Sequence, residues 1–433
     1  MIKQLKMNNV GPAPALQLEF GDRLNVLTGD NGLGKSFLLD IIWWSLTRKW
    51  PAEVNPRLPA GLMATPHKTG KASIEFTFTA KSKPVSYISR FDRKVQAWTG
   101  KAGRPSNPGL ILYAQVDGSF AVWDPARNYW RRKRNSDVQD RPPAYVFNAR
   151  EVWDGLRDEQ RGLLCNGLIA DWSGWQKENG TAFKHLSAVL EKLSPSVGEK
   201  IIPGELVRIN LDDPRDIPTL KMPYGQSVPV LHASAGMRRI LALAYLFVWT
   251  WEEHVKASSL IGEEITSQAV FLIDEIEAHL HPKWQRQIVR PLLDIVHSLT
   301  EHAEVQLVAS THSPLVMASV EPIFDHNKDA WFDLDLDLVG KDNRQIPGVT
   351  VSRRPLIRRG DASNWLTSDA FDLSSARSME AEQVLERAAI ALSEPSFDAF
   401  QAKQLNLELK KVLGDTDPFW MRWRFVAEKR GWF

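Results

Sequence analysis

Residues Leu24-Asn25-Val26-Leu27-Thr28-Gly29-Asp30-Asn31-Gly32-Leu33-Gly34-Lys35-Ser36 decide how the chain is read. A short apolar strand runs into a glycine-rich turn and then into a helix that starts at Ser36 or just before it. Gly29 and Gly34 frame four residues and Lys35-Ser36 follow, which is the P-loop pattern G-x-x-x-x-G-K-[ST]. Each residue type has a task at this spacing. Glycines let backbone N–H groups curl around phosphate oxygens, and the helix N-terminus adds the positive end of its dipole. Lys35 can reach the β- and γ-phosphates, and the Ser36 hydroxyl can ligate Mg²⁺. The run Gly29, Asp30, Asn31, Gly32, Leu33, Gly34, Lys35, Ser36 and Phe37 is therefore the expected nucleotide cradle, with ATP and Mg²⁺ as its ligands.

Two later strand ends carry complementary chemistry. The apolar run 269–273 ends in Asp274-Glu275, the arrangement that sets two carboxylates beside a P-loop in a parallel sheet. Asp274 would hold Mg²⁺, directly or through water, and Glu275 would orient or deprotonate the attacking water. The run 305–309 ends in Ser310-Thr311-His312-Ser313-Pro314. Ser313 can N-cap a helix that has Pro314 in its first turn, which leaves His312 at a strand-to-helix corner where it can contact a γ-phosphate. Upstream, Ser234-Ala235-Gly236 opens a long apolar helix. A serine hydroxyl, a glycine N–H and a helix dipole form a phosphate clamp. The P-loop already supplies one clamp, so Ser234 and Gly236 are expected to grip the nucleotide of a second copy. A homodimer or higher homo-oligomer follows.

Composition sets outer limits. The 433 residues are 43% apolar and 24% charged with a formal net charge of +2, an ordinary globular balance that does not announce nucleic-acid binding. Cys165 is the single cysteine, which excludes an intrachain disulfide and fits a reducing, cytoplasmic setting. No run of 18 apolar residues occurs, so no membrane span is expected. The 17 tryptophans sit mostly in helix-like segments and are expected to fill cores.

Along the chain, 1–5 and 15–20 read as strands joined by the Gly11-Pro12 turn, while 73–79, 85–89 and 109–114 read as an antiparallel set. Helices are expected over 151–171, 182–193, 240–254 and 284–297, weaker strands over 331–339 and 348–352, and a helical tail over 374–413. The expected organisation is residues 1–144 as a first lobe, 145–230 as a helical and irregular insertion, 231–345 as a second lobe and 346–433 as a C-terminal helical region. Strand–helix alternation in the second lobe argues for a parallel sheet covered on both faces.

The ordered set Gly29-x-Asn31-Gly32-x-Gly34-Lys35-Ser36, Ser234-x-Gly236, Asp274-Glu275 and His312 resembles the ABC-type ATPase heads of the SMC, Rad50 and RecF group. The runs Asp274-Glu275-Ile276-Glu277-Ala278-His279-Leu280-His281-Pro282 and Ser310-Thr311-His312-Ser313-Pro314 are similar to the compact AAA-type ATPases of the OLD and antiphage-defence families, with Septu, PARIS and retron-associated ATPases among them. The resemblance covers about residues 1–320. Beyond it, Asn364-Trp365-Leu366-Thr367-Ser368 with Phe371-Asp372-Leu373 is similar to the segment that follows the core in defence ATPases.

It implies an α/β P-loop NTPase fold, an ABC-ATPase head with an N-terminal antiparallel β-subdomain, a short helical insertion and a C-terminal helical cap. It also implies ATP-driven pairing of heads, with ATP between P-loop and signature serine, in control of a separately encoded effector nuclease. The alternative is a RecF- or Rad50-like repair ATPase that binds duplex DNA directly. The signature lacks the leading Leu and the following Gln of transporter ATPases. Gln115, after the strand 109–114, is the candidate for the glutamine that such heads offer to Mg²⁺, a plain hairpin residue being its other reading.

Other signals are set aside. Glu277, His279 and His281 follow from the turn after the acidic pair and are not read as a metal site. Asp333, Asp335 and Asp337 alternate along one strand without a glutamate-bearing partner strand and are not read as a nuclease. Arg131-Arg132-Lys133-Arg134, preceded by Tyr129-Trp130, is the best basic-aromatic patch for nucleic-acid phosphates, and a solvated loop is the simpler reading. The Trp- and Arg-rich ending, 419–433, is expected to pack rather than to bind.

Overall fold

Apolar runs without alternation become parallel strands buried on both faces. In the computed structural model, which describes residues 1–67, 69–80, 83–100, 106–128, 141–295, 303–339, 346–394 and 396–433, five parallel strands lie side by side, four of them such runs and one, Ala330–Val339, alternating in its second half. Their spatial order is Ala330–Val339, Leu24–Gly29, Glu304–Ser310, Gln268–Ile273 and Leu110–Ala114, all parallel. Antiparallel neighbours extend both edges to eight strands: Ile346–Arg354 on one side, Phe120–Trp123 and then Tyr145–Phe147 on the other. The helix Lys35–Thr47 packs on this sheet and buries ten of its thirteen residues, as its almost unbroken apolar sequence requires. The 27-residue helix Ala235–Ile261 reaches the same sheet, with Phe247 edge-on to Phe271 at 4.6 Å.

A second, five-stranded antiparallel sheet forms the expected N-terminal subdomain, in the order Ala15–Glu19, Ile2–Asn8, Ser73–Ala80, Lys83–Asp92 and Ala97–Gly100. Here the burial alternates, as in Ser73–Ala80, because only one face meets the core. Tryptophans fill that core as expected. Trp44 stacks on Trp50 at 5.2 Å, meets Phe76 and Trp98, and carries the Arg48 guanidinium 3.9 Å above its ring.

Three expectations need correction. The strand Leu110–Ala114 does not join the antiparallel set but pairs in parallel with Gln268–Ile273, and its five consecutive buried residues are the physical reason. The span 151–171 is not one helix. A short helix, Glu151–Asp154, leads into the hairpin Leu156–Asp158 with Gly162–Cys165, and only then comes the helix Leu168–Glu178. Gly155 and Gly167 break it, each at positive φ, with a Cβ on Gly167 falling 2.4 Å from the Gly155 nitrogen. The helix expected over 284–297 is split into Pro282–Gln285 and Val289–Asp294. The insertion also holds the helix Thr181–Lys192 and a small sheet of Ile202–Pro203, Thr219–Lys221 and Ser227–Pro229.

Residues Met1–Gly360 form one compact unit and Asp361–Phe433 a second. The second consists of the short helix Ala362–Leu366 and three longer ones, Met379–Ser393, Ala399–Val412 and Phe419–Lys429, whose core includes Trp420, Trp423 and Trp432. The basic run 131–134, with Tyr129 and Trp130, lies outside the described residues. Among the described residues no helix is long and apolar enough to cross a membrane.

Candidate active site

Parallel strands all deliver their C-terminal ends to one edge, where open α/β sheets bind ligands. At that edge the P-loop follows Leu24–Gly29, the segment Ser310-Thr311-His312 ends the next strand, Asp274-Glu275 the one after, and Gln115 the fourth. The order of strands, not proximity in sequence, brings these groups together.

The P-loop glycines answer to backbone geometry. Gly29 has φ 126°, and a Cβ there would lie 2.1 Å from the Leu334 carbonyl oxygen. Gly34, at φ 97°, caps the helix against Pro12, whose Cγ would be 2.6 Å from an added Cβ. Gly32 is also left-handed and faces open space. Asp30, Asn31, Gly32 and Ser36 are exposed, Leu33 is buried and Phe37 is half-buried. Lys35 is buried, and its Nζ donates to the carbonyls of Gly29 and Asp30 at 2.7 and 2.8 Å. Burial pulls its pKa down, while Asp274 and Glu275 oppose that fall.

The two acids are oriented by a residue that sequence reasoning missed. The Ser310 hydroxyl accepts the Glu275 N–H and donates to Asp274 Oδ1, both at 2.7 Å. Asp274 is 2% exposed and its N–H bonds the Ala114 carbonyl at 2.9 Å. Glu275 is half-buried at φ 44°, a strained setting for a side chain of its size. Gln115 is 2% exposed. Its amide lies beside the Asp40 carboxyl and the Tyr113 hydroxyl and opposes the rise that burial imposes on both. Tyr113 Oη in turn donates to Asp40 at 3.0 Å, and burial pushes the Asp40 carboxyl up to about 7. Gln115 Oε1, buried, has no hydrogen-bond partner.

That orphaned oxygen is what a Mg²⁺ ion or its water would satisfy. Among the described residues no group of three or more His, Cys, Asp or Glu could hold a metal by itself. Mg²⁺ at a phosphate site asks for less: one carboxylate, a hydroxyl and a neutral oxygen, the rest coming from phosphate and water. Asp274, Ser36 and Gln115 fit that donor set.

His312 is half-buried at the corner before Ser313, which caps the helix Pro314–Val320 as expected. Burial, and then Lys35, lower its pKa, so the imidazole is neutral at neutral pH. Ser234 is exposed at the N-cap of Ala235–Ile261, its hydroxyl accepting the Met237 N–H at 3.3 Å. Gly236 is buried against the turn after the acidic pair, and a Cβ on it would stand 2.4 Å from the His279 carbonyl oxygen. From the next turn of that helix, buried Arg239 donates to the main-chain carbonyls of Gln115, Val116 and Asp274. The clamp helix is thereby tied to two of the site's strand ends.

The remaining signals find structural uses. Asp333 is buried and accepts the Thr28 hydroxyl at 2.7 Å, behind the P-loop strand. His281 Nδ1 accepts the Lys283 N–H at 3.2 Å as a helix cap, and His279 is exposed.

Known proteins resemble this chain in sequence. Residues 24–318 match the family described as "AAA domain, putative AbiEii toxin, Type IV TA system". Septu protein PtuA of Bacillus thuringiensis is 20% identical over 319 residues, 72% of each chain. The Retron Vc95 probable ATPase of Vibrio cholerae is 30% identical over 162 residues, which is 37% of this chain and 29% of that protein. Among solved structures, the SMC head domain from Thermotoga maritima aligns over 82% of this chain and 99% of its own at a TM-score of 0.39 and 14% identity. With the P-loop, the acidic pair and the histidine corner all inside the matched span, the chain belongs to this AAA-domain family of P-loop ATPases.

Proposed function

We propose that the protein binds and hydrolyses Mg-ATP between two copies of itself, and that this cycle controls a separately encoded effector nuclease in antiphage defence. The observation that carries the reading is the meeting of four different groups at adjacent strand ends while Ser234 stays exposed on a helix N-terminus. The P-loop amides and Lys35 hold the β- and γ-phosphates. When bound, Mg²⁺ would neutralise charge on them, held by Ser36, Asp274 and Gln115. Glu275, set by Ser310, aligns the water and takes its proton, and neutral His312 hydrogen-bonds the γ-phosphate. Ser234 and Gly236 complete the cage from the second copy.

The defence role is supported by the likeness to Septu and retron proteins. The repair alternative would need duplex DNA to be bound directly. Replacement of Glu275 by Gln tests the core of the scheme: ATP binding is retained, turnover falls on the order of 10³-fold, and an ATP-bound dimer or larger assembly accumulates in light scattering. Wild-type turnover in that variant removes Glu275 from the chemistry. Strong, salt-sensitive stimulation of turnover by duplex DNA moves the role to repair.

A further inference from the structure

We propose that Glu277 is a positioning residue for His312 and makes the placement of that histidine depend on the turn that touches Gly236. The proposal rests on the reading of His312 as the γ-phosphate contact.

Glu277 commits both carboxylate oxygens to one short segment. Oε2 accepts the Thr311 hydroxyl at 2.7 Å and Oε1 accepts the main-chain N–H of His312. Thr311 is fully buried, its N–H bonds the Leu27 carbonyl at 3.0 Å, and its Oγ1 accepts the Ser313 N–H at 3.0 Å. The backbone on both sides of the imidazole is therefore pinned: Thr311 to the P-loop strand, the His312 N–H to Glu277, and the Ser313 N–H to the Thr311 hydroxyl that Glu277 also holds. Two acceptors facing two donors at one corner are what a carboxylate satisfies. No metal cluster among the described residues competes for this acid.

The turn that carries Glu277 is itself one hydrogen-bonded piece. Ala278 N–H bonds the Glu275 carbonyl and Leu280 N–H the Glu277 carbonyl, both at 2.8 Å. Glu275 and His279 are both left-handed, at φ 44° and 62°. Gln285 bridges the turn to the histidine corner a second time, donating to the Leu280 carbonyl at 2.8 Å and accepting the Ser313 hydroxyl at 2.7 Å. At the far side the His279 carbonyl is packed against Gly236. The water-aligning Glu275, the clamp glycine and the phosphate-facing histidine thus hang on six consecutive residues. Movement at Gly236 has a covalent and hydrogen-bonded route to His312 that runs through Glu277.

The test compares Glu277→Ala, Glu277→Gln and His312→Ala, singly and combined, in the full chain. The Gln variant can still accept the His312 N–H and can donate to Thr311, so it should keep turnover within a few-fold, about the range of a rearranged hydrogen bond. The Ala variant should lose kcat by on the order of 10- to 100-fold with KM for ATP little changed. Glu277→Ala/His312→Ala should be no slower than His312→Ala alone. A second readout needs no turnover. The His312 imidazole carbon signal in nucleotide-free, ¹³C-histidine-labelled protein should shift or broaden in Glu277→Ala and be restored in Glu277→Gln. Independent, multiplying effects in the double variant, or an unmoved His312 signal, overturn the proposal. Full turnover in His312→Ala instead overturns the γ-phosphate reading, and the imaging of the corner by NMR still decides whether Glu277 sets it.

Discussion

Cys165 lies in the hairpin between the short helix and Leu168–Glu178, with its sulfur 3.1 Å from Tyr245 Oη, which donates to Asp171 at 2.7 Å. Burial pushes its thiol from 9.0 up to about 12. The thiolate is the reactive form, so at pH 8 a shift of this size leaves roughly a thousandfold less of it than in the unfolded chain. Ellman's reagent should therefore label native protein very slowly and denatured protein at once. Rapid native labelling would mean that the hairpin opens. Because the chain has one cysteine, the readout is unambiguous. At this scale the sequence was informative where a motif fixes spacing: Lys35, Ser36, Asp274, Glu275 and His312 all come to one edge. It was silent on Ser310, Arg239 and Asp40, whose contacts depend on which strand lies beside which. Ser310 was recoverable in principle, since parallel register sets Ile273 against Ala309 and so the next residue beside Asp274.

Elements meet the site through close backbone approaches, and Gly236 is the clearest. A methyl group there would press on a carbonyl oxygen rather than on a yielding side chain. Gly236→Ala must shift either the start of Ala235–Ile261 or the turn at His279, at a cost of about 1–3 kcal/mol typical of overpacking. Nucleotide affinity at the P-loop should change little, whereas ATP-dependent association and turnover should fall about tenfold or more, the equivalent of ~1.4 kcal/mol. Equilibrium binding of a fluorescent ATP analogue set beside light scattering checks this, and undiminished association would show that the close approach is incidental. A different element contact warns against reading constellations alone. His254 Nδ1 meets Asp124 at 2.7 Å with Ser258 3.5 Å from Nε2, a triad in outline. Its Nε2 already accepts the Thr266 N–H at 2.9 Å, so the histidine staples the long helix and cannot act as a base. The strand Leu110–Ala114 carries the opposite lesson. The turn after it does close a hairpin with Phe120–Trp123, while its other edge pairs in parallel with Gln268–Ile273, and that second pairing is what lifted Gln115 to the crevice.

At the scale of the whole molecule, two of the hydrophobic cores among the described residues fall in different units. One runs from the N-terminal sheet through the P-loop helix into the central sheet, and the other lies within Asp361–Phe433. The second was partly legible: Trp420, Trp423 and Ala427 recur at helical spacing, and all three are buried. The unit boundary was not, because strand Ile346–Arg354 continues the central sheet past the point where the sequence turns polar. Trp423 is 0% exposed and donates its Nε1–H to Asn406 Oδ1 at 3.1 Å. Truncating it removes a large ring from a small core, a loss of about 3–5 kcal/mol. A helical unit of this size has a stability of comparable magnitude. Trp423→Ala should therefore unfold Asp361–Phe433 near room temperature while Met1–Gly360 still binds ATP. Scanning calorimetry distinguishes the cases, because Mg-ATP raises only the transition of the unit that binds it. A wild-type scan with two transitions, the nucleotide-independent one lost in Trp423→Ala, is the expected result. A single transition that moves as a whole in the variant would mean that the two cores unfold together, and that the C-terminal helices contribute directly to the stability of the ATP-binding unit.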